Sequence, residues 1–266
     1  MKKLSIITIN YNNLAGLRKT RDSILSQTFR DFEWLVVDGG STDGGKDYIQ
    51  EHQAEMAWWC SERDNGIFNA QNKGIEHAQG EYLLFLNSGD TLSAPDTLKD
   101  VFSKPFDADV VYGDWTEALP RRPKKQCHSP EKVNYYTFAS RPLCHQTAFI
   151  RASLLKQSPY DETYHICADW AKWLELSKQG CTFRHIPVTV CHFVLGGFSY
   201  RSVKERRLEH ERALKEFYPA DLAEVFSVLT DKVAKRLIVI RRLVWLSSIL
   251  LLTTVALAIW IAVAKL

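Results

Sequence analysis

Three short apolar runs punctuate the N-terminal third of the chain: LSIITI (4–9), EWLVVD (33–38) and EYLLFL (81–86). Each has the length of a buried strand and gives way to polar or glycine positions. Between the first two, Leu14, Leu17, Ile24, Leu25 and Phe29 recur at loosely helical spacing, which predicts a helix over 14–29. A strand–helix–strand unit of that length implies parallel strands joined by a right-handed crossover, hence an α/β sheet. GGSTDGG (39–45) marks a turn, and 45–55 follows as a second helix. Further on the pattern predicts a short strand at 57–60, a helix at 66–79 and a strand in ADVVYGD (108–114). The polar, basic stretch 116–136 reads as a surface loop. Beyond it come a helix at 168–179, a strand near 182–190 and an amphipathic charged helix at 201–217.

The C-terminal pattern is different. WLSSILLLTTVALAIWIAVA (245–264) carries no charge. At about 1.5 Å per residue it would reach roughly 30 Å, the thickness of a hydrocarbon core. Trp245 and Trp260 lie near its ends, where indoles favour the interface, and Lys232, Lys235, Arg236, Arg241 and Arg242 precede it. These features predict a basic amphipathic linker helix at 221–244 and a transmembrane or membrane-embedded helix at 245–264. The alternative is a buried C-terminal helix. Basic residues ahead of a single span keep that side cytoplasmic and attract anionic lipid. At the other end, the apolar run after Met1 stops at Asn10, which suits a buried first strand rather than a signal peptide.

Composition narrows the picture. Hydrophobic residues at 45% and charged residues at 24% belong to a folded globular chain, and its 266 residues suffice for a large core. A net charge of +3 is too small to argue for nucleic acid. The six cysteines form no CxxC pair and no metal-ligand spacing, so they read as free thiols in a reducing compartment.

In open parallel sheets ligands sit beyond the carboxyl ends of the strands. There the sequence places Asn10, then Asp38 with Gly39 and Gly40, then Asn87, Ser88, Gly89 and Asp90. Each group alone is an ordinary turn. Acids at two strand ends, directly after buried apolar runs, suit a nucleotide and its diphosphate. An acid at the second end can accept from a ribose or base, and one at the third can hold Mg²⁺ or Mn²⁺ together with phosphate oxygens.

SIITINYNN, VVDGGSTDGG, SERDNGIFNAQNKGI and GEYLLFLNSGD resemble, in order and spacing, the nucleotide-binding half of family 2 glycosyltransferases, nearest to bacterial exopolysaccharide, O-antigen and colanic acid enzymes. The resemblance covers about residues 4–200. It implies a GT-A fold, a Rossmann-like mixed sheet flanked by helices, over 1–220, with a nucleotide-sugar half to about 115 and an acceptor half after it. It also implies that Thr8 and Asn10 approach the nucleotide, that Asp38 contacts the base, and that Asp64, Asn72, Lys73 and Asn87 lie beside the donor. NSGD stands where many relatives carry Asp-x-Asp, so Asp90 matches the metal-binding carboxylate, while Asn87 or Ser88 replaces the first acid.

In the later half, YHICADWAKWLELSKQG (164–180) resembles the segment that carries the catalytic base, here Asp169, with an N-cap of its helix as the lesser alternative. CHQTAF resembles the strand near the acceptor, where His145 binds acceptor or satisfies buried backbone. HFVLGGFS resembles a mobile loop near the diphosphate, with His192 either a structural histidine, the commoner case for a lone His, or a second metal ligand. Asp114 lines the acceptor pocket or begins a turn. Arg206, Arg207 and His210 read as one solvated helix face.

The expectation is therefore a hexosyl-transferring enzyme that inverts configuration and uses Mn²⁺ or Mg²⁺. Its donor is a nucleoside diphosphate sugar, a UDP-sugar before others, and its acceptor a polyprenyl-diphosphate-linked glycan. It would work at the cytoplasmic face of the inner membrane, in surface polysaccharide or lipopolysaccharide synthesis. The non-enzyme alternative is a membrane scaffold with a degenerate nucleotide site. A nucleotidyltransferase or NAD-binding domain would carry a glycine-rich phosphate loop after strand one, where NYNNLAG stands.

Overall fold

The computed structural model describes residues 2–118, 125–139, 142–194 and 202–229. The apolar segment 245–264, most of the linker 221–244, residues 195–199 of the predicted loop and the first residue of the predicted helix 201–217 lie outside the described residues. Among the described residues no helix is long and apolar enough to cross a membrane. The chain divides into two units, Met1–Ala213 and Leu214–Leu266. In the second, residues 220–229 are helical.

The first unit is built on a mixed nine-stranded sheet. Its N-terminal part follows the expected alternation: β1 (Leu4–Asn10), α1 (Leu14–Leu25), β2 (Phe32–Asp38), α2 (Gly45–Glu51), β3 (Trp58–Ser61), α3 (Ile67–His77) and β4 (Tyr82–Phe85). Strands β3, β2, β1 and β4 are parallel neighbours in that order. Helices cover both faces of a parallel sheet, which is why its strands are continuous apolar runs. Leu4, Ile6, Ile7, Leu35, Leu83, Leu84 and Phe85 have no exposed surface. Each such side chain contributes about 1.5–3 kcal/mol of burial.

The second half departs from parallel order. After β5 (Thr91–Leu92) and α4 (Thr97–Phe102) come β6 (Val110–Ala118), β7 (Lys125–Cys127), β8 (Ala148–Arg151), α5 (Ala152–Gln157), α6 (Ala168–Lys178), β9 (Phe183–Val194) and α7 (Val203–Phe217). β8 inserts antiparallel between β4 and β6, β9 runs parallel to β6, and β5 pairs antiparallel with β9. The loop predicted over 116–136 is partly strand. β6 continues to Ala118, and β7 pairs back on it with Trp115 opposite Cys127. Proline and basic residues masked this edge pairing, because an edge strand tolerates both.

One close approach fixes the wall of the site. α3 lies against β1 at Gly74, where an added Cβ would meet Ile7 Cγ2 at 2.5 Å. Gly74→Val is therefore expected to cost about 1–3 kcal/mol by overpacking. Chemical denaturation would read this as a lower midpoint at unchanged slope, and an unchanged midpoint would refute the close contact.

Candidate active site

The last residues of the first three strands form a row. Register sets Asn10 opposite Asp38, and Asp38 opposite Ser61, so the three side chains share a face. Asp38 binds both neighbours: Oδ1 accepts from Asn10 Nδ2 (2.7 Å) and Ser41 Oγ (2.5 Å), and Oδ2 from Ser61 Oγ (2.7 Å) and Ser41 N (2.9 Å). Burial pushes its carboxyl upward, but these donors prevail and hold it below the ordinary carboxylate range. Asp38 has no exposed surface, so the expected contact with a base finds no free oxygen; here it fixes the loop after β2.

Thr8 also differs from expectation. It is fully buried, and its hydroxyl accepts from Trp34 Nε1 at 3.0 Å inside the core, on the same face as Asn10 but two residues short of the strand end.

A cleft of about 780 Å³ opens beyond the strand ends, and Asn10, Tyr11, Gly39, Asp64, Asn87 and His165 help to line it. Gly39 lets Asp64 approach, because a Cβ there would lie 2.5 Å from Asp64 Oδ2 and displace that carboxylate. Asp64 in turn accepts from Gly66 N at 3.0 Å. Two carbonyl oxygens on the lining residues, Asn10 Oδ1 and Asn87 Oδ1, are buried without a donor. Unmet acceptors of this kind are uncommon and ask for an explanation.

Asn72 and Lys73 face elsewhere. They border a second hollow of about 570 Å³, with Lys156 and Glu162. Asn72 is fully used by the 160–162 segment, donating to Tyr160 O and Glu162 Oε1 and accepting from Tyr160 N, each at 2.9 Å. Lys73 pairs with Glu62 at 2.6 Å. Both therefore brace α3. Helical phase decides this, since adjacent residues point about 100° apart.

Asp90 is buried, 5% exposed, and is not among the residues that line the cleft. Val194 N donates to Oδ1 and Gln146 Nε2 to Oδ2, each at 3.0 Å. Burial pushes its pKa up to about 6, the two donors and His145 offsetting only part of the cost. His192 lies on β9 opposite Thr91, the residue after Asp90. Among the described residues no three His, Cys, Asp or Glu side chains gather to hold a metal. With one acid, both of its oxygens occupied, the described residues do not fit a protein-made cation site.

Asp114 is enclosed as well. Its oxygens meet His128 Nδ1 (2.8 Å), His185 Nε2 (2.9 Å) and Ser129 N (3.0 Å). Burial opposes ionisation, but these contacts hold the carboxyl below its usual range. At 6% exposed it ties β6 to β9 and to the segment after β7 rather than facing an open pocket.

The last group forms a chain. His145 Nδ1 lies 3.1 Å from Asp169 Oδ2, and its Nε2 3.4 Å from Asn87 Nδ2. A carboxylate only accepts, so the ring proton sits on Nδ1 and Nε2 receives the amide. Asp169 Oδ1 accepts from Trp170 N at 2.8 Å. Asp169 stands inside the first turn of α6, where the helix dipole favours an anion, and Cys167 holds the capping position, so Asp169 is not the N-cap. Its side chain remains 21% exposed. Gln146, the clamp on Asp90, went unrecognised in the sequence; its one signal was adjacency to His145.

Comparison with known proteins now adds the class. A sequence profile described as Glycosyl transferase family 2 matches residues 5–151. The chain belongs to that family. An "uncharacterized glycosyltransferase" of Mycobacterium tuberculosis is 33% identical over 171 residues, which cover 62% of this chain and 65% of the relative's length. Among solved structures, Staphylococcus aureus TarS 1–349 in complex with UDP-GlcNAc superposes with a TM-score of 0.65 at 17% identity, covering 86% of this chain and 71% of TarS. The mannosyltransferase PcManGT of Pyrobaculum calidifontis, in complex with GDP-Man and Mn²⁺, superposes with 0.62 at 17% identity, covering 86% and 69%. These two likenesses concern the fold: a mixed α/β sheet flanked by helices, of GT-A type.

Proposed function

We propose that this chain is an inverting glycosyltransferase that moves a sugar from a nucleoside diphosphate donor, a UDP-sugar before others, to a polyprenyl-diphosphate-linked glycan. The observation that carries the reading is the chain Asp169–His145–Asn87, which runs from a partly exposed carboxylate to a wall of the cleft. Asp169 takes the proton of the acceptor hydroxyl. That oxygen bonds to the anomeric carbon as the bond to the diphosphate breaks on the opposite face, which inverts the centre. His145 keeps Asp169 oriented. The unmet oxygens of Asn10 and Asn87 accept from donor hydroxyl or amide groups, and Asp64 flanks the nucleotide end.

The nucleotide-sugar complexes of the two structural neighbours support the donor class, and the Mn²⁺ in one of them supports use of a divalent cation. The lipid-linked acceptor, and work at the cytoplasmic face of the inner membrane, rest on the apolar segment 245–264 and the basic residues ahead of it. Calorimetry with UDP, with and without Mn²⁺, tests the nucleotide site, and cation-enhanced binding is expected. No UDP binding under either condition would favour a non-catalytic scaffold, a reading suggested by the lone acid of NSGD. For the acceptor, deletion of 232–266 is expected to lower transfer to a lipid-linked acceptor in membranes and spare transfer to a free sugar. Equal rates on both, with and without the segment, would sink the lipid assignment.

A further inference from the structure

Helix α6 opens without a side-chain cap, since Cys167 in the capping position makes no such bond. The amides of the turn that leads into it are held from elsewhere. Glu209 of α7 accepts from His165 N (2.7 Å), Ile166 N (2.9 Å) and Cys167 N (2.9 Å). Three successive donors on one carboxylate make a charge-assisted cluster at the positive end of α6. The Cys167 thiol is pushed up to about 12 by burial, with Asp169 and Glu209 both adding to the rise, so it lies within the field of both acids.

Neighbouring residues of α7 hold the same segment. The His210 ring stacks on Trp170 at 3.5 Å and 11°. Burial drives its pKa down to about 4, so the ring packs there neutral, as part of the interior rather than of a solvated face. Arg212 lies over the Tyr164 ring at 4.0 Å and donates to Thr163 Oγ1 at 2.7 Å. The stretch pinned in this way ends at Asp169 and includes Tyr164 and His165, which line the cleft.

We propose that Glu209 is a positioning residue for glycosyl transfer. By gathering the amides of 165–167 it fixes the turn that sets both the Asp169 carboxylate and the His165 wall of the cleft. This inference rests on the reading of Asp169 as the base. It assigns α7 a part in turnover that its surface-like sequence conceals.

The test uses the full chain as Glu209→Ala, Glu209→Gln and, separately, Asp169→Asn. Glu209→Ala is expected to lower kcat roughly 10–100-fold, because a small displacement of a reacting group is costly. KM for the donor should change less than kcat, since only the Tyr164–His165 edge of the cleft is disturbed and its other lining residues are not. Amide exchange at 165–167 should accelerate in the same variant. Glu209→Gln keeps an acceptor oxygen and should recover most of the kcat loss. If Glu209→Ala does not fold, Glu209→Gln decides, through slower exchange than an uncapped segment would show together with a smaller, measurable fall in kcat; wild-type exchange and kcat there overturn the proposal. A fully active Glu209→Ala beside an inactive Asp169→Asn overturns the positioning role alone, whereas normal turnover in Asp169→Asn removes the base reading.

Discussion

Asp169→Asn is expected to reduce turnover about 10²–10⁴-fold while nucleotide affinity stays at the wild-type level. The substitution keeps the size of the side chain and one oxygen for His145, but removes the group able to take a proton from an acceptor hydroxyl. Stability should change little. The carboxylate is partly exposed and does not cap its helix. Loss of a true N-cap would instead cost about 1 kcal/mol and leave chemistry alone. Steady-state rates with donor and acceptor, beside UDP binding by calorimetry, separate the outcomes. Turnover within about tenfold of wild type would remove Asp169 from the role of base.

The second large effect concerns stability against pH in the metal-free protein. Asp90 has a folded pKa of about 6 against an ordinary 3.8, raised by burial. The folded state therefore binds its proton more tightly than the unfolded chain does. That contribution is fully present below about pH 4 and is lost as pH rises through about 6, amounting to roughly 3 kcal/mol by pH 8. Asp90→Asn lacks this slope. Unfolding midpoints of both proteins from pH 4 to 8, without metal, should diverge steadily in favour of Asn. Parallel curves would mean that Asp90 does not carry its charge in a buried place.

Much of the fold is written locally. β1, β2 and β4 are continuous apolar runs because a parallel sheet buries both faces, and the strand ends followed from the same pattern. The segments that escaped notice, β5 and β7, are short edge pieces whose pairing lies in the partner strand. Sequence also found Asn10, Asp64 and Asn87 on the cleft, since a strand's carboxyl end or a loop beside it is a local property. It misjudged Asn72 and Lys73, where one step along a helix turns a side chain away, and Thr8, which lies two residues inside the strand end and is buried against Trp34.

Sequence by itself determined the family, the α/β order of the first half and the strand-end row at which a nucleotide would sit. Only the tertiary structure decided what each acid does there. Asp38 and Asp90 emerge from the same local pattern and burial pushes both carboxyls up, yet four donors outweigh it at Asp38 while two do not at Asp90, so their pKa values end in opposite directions. The bonds that matter most join residues far apart in the chain: Gln146 to Asp90, His145 to Asn87, Glu209 to the amides before Asp169. Periodicity reports the face on which a residue lies. Which partner waits on that face is settled when distant strands and helices pack.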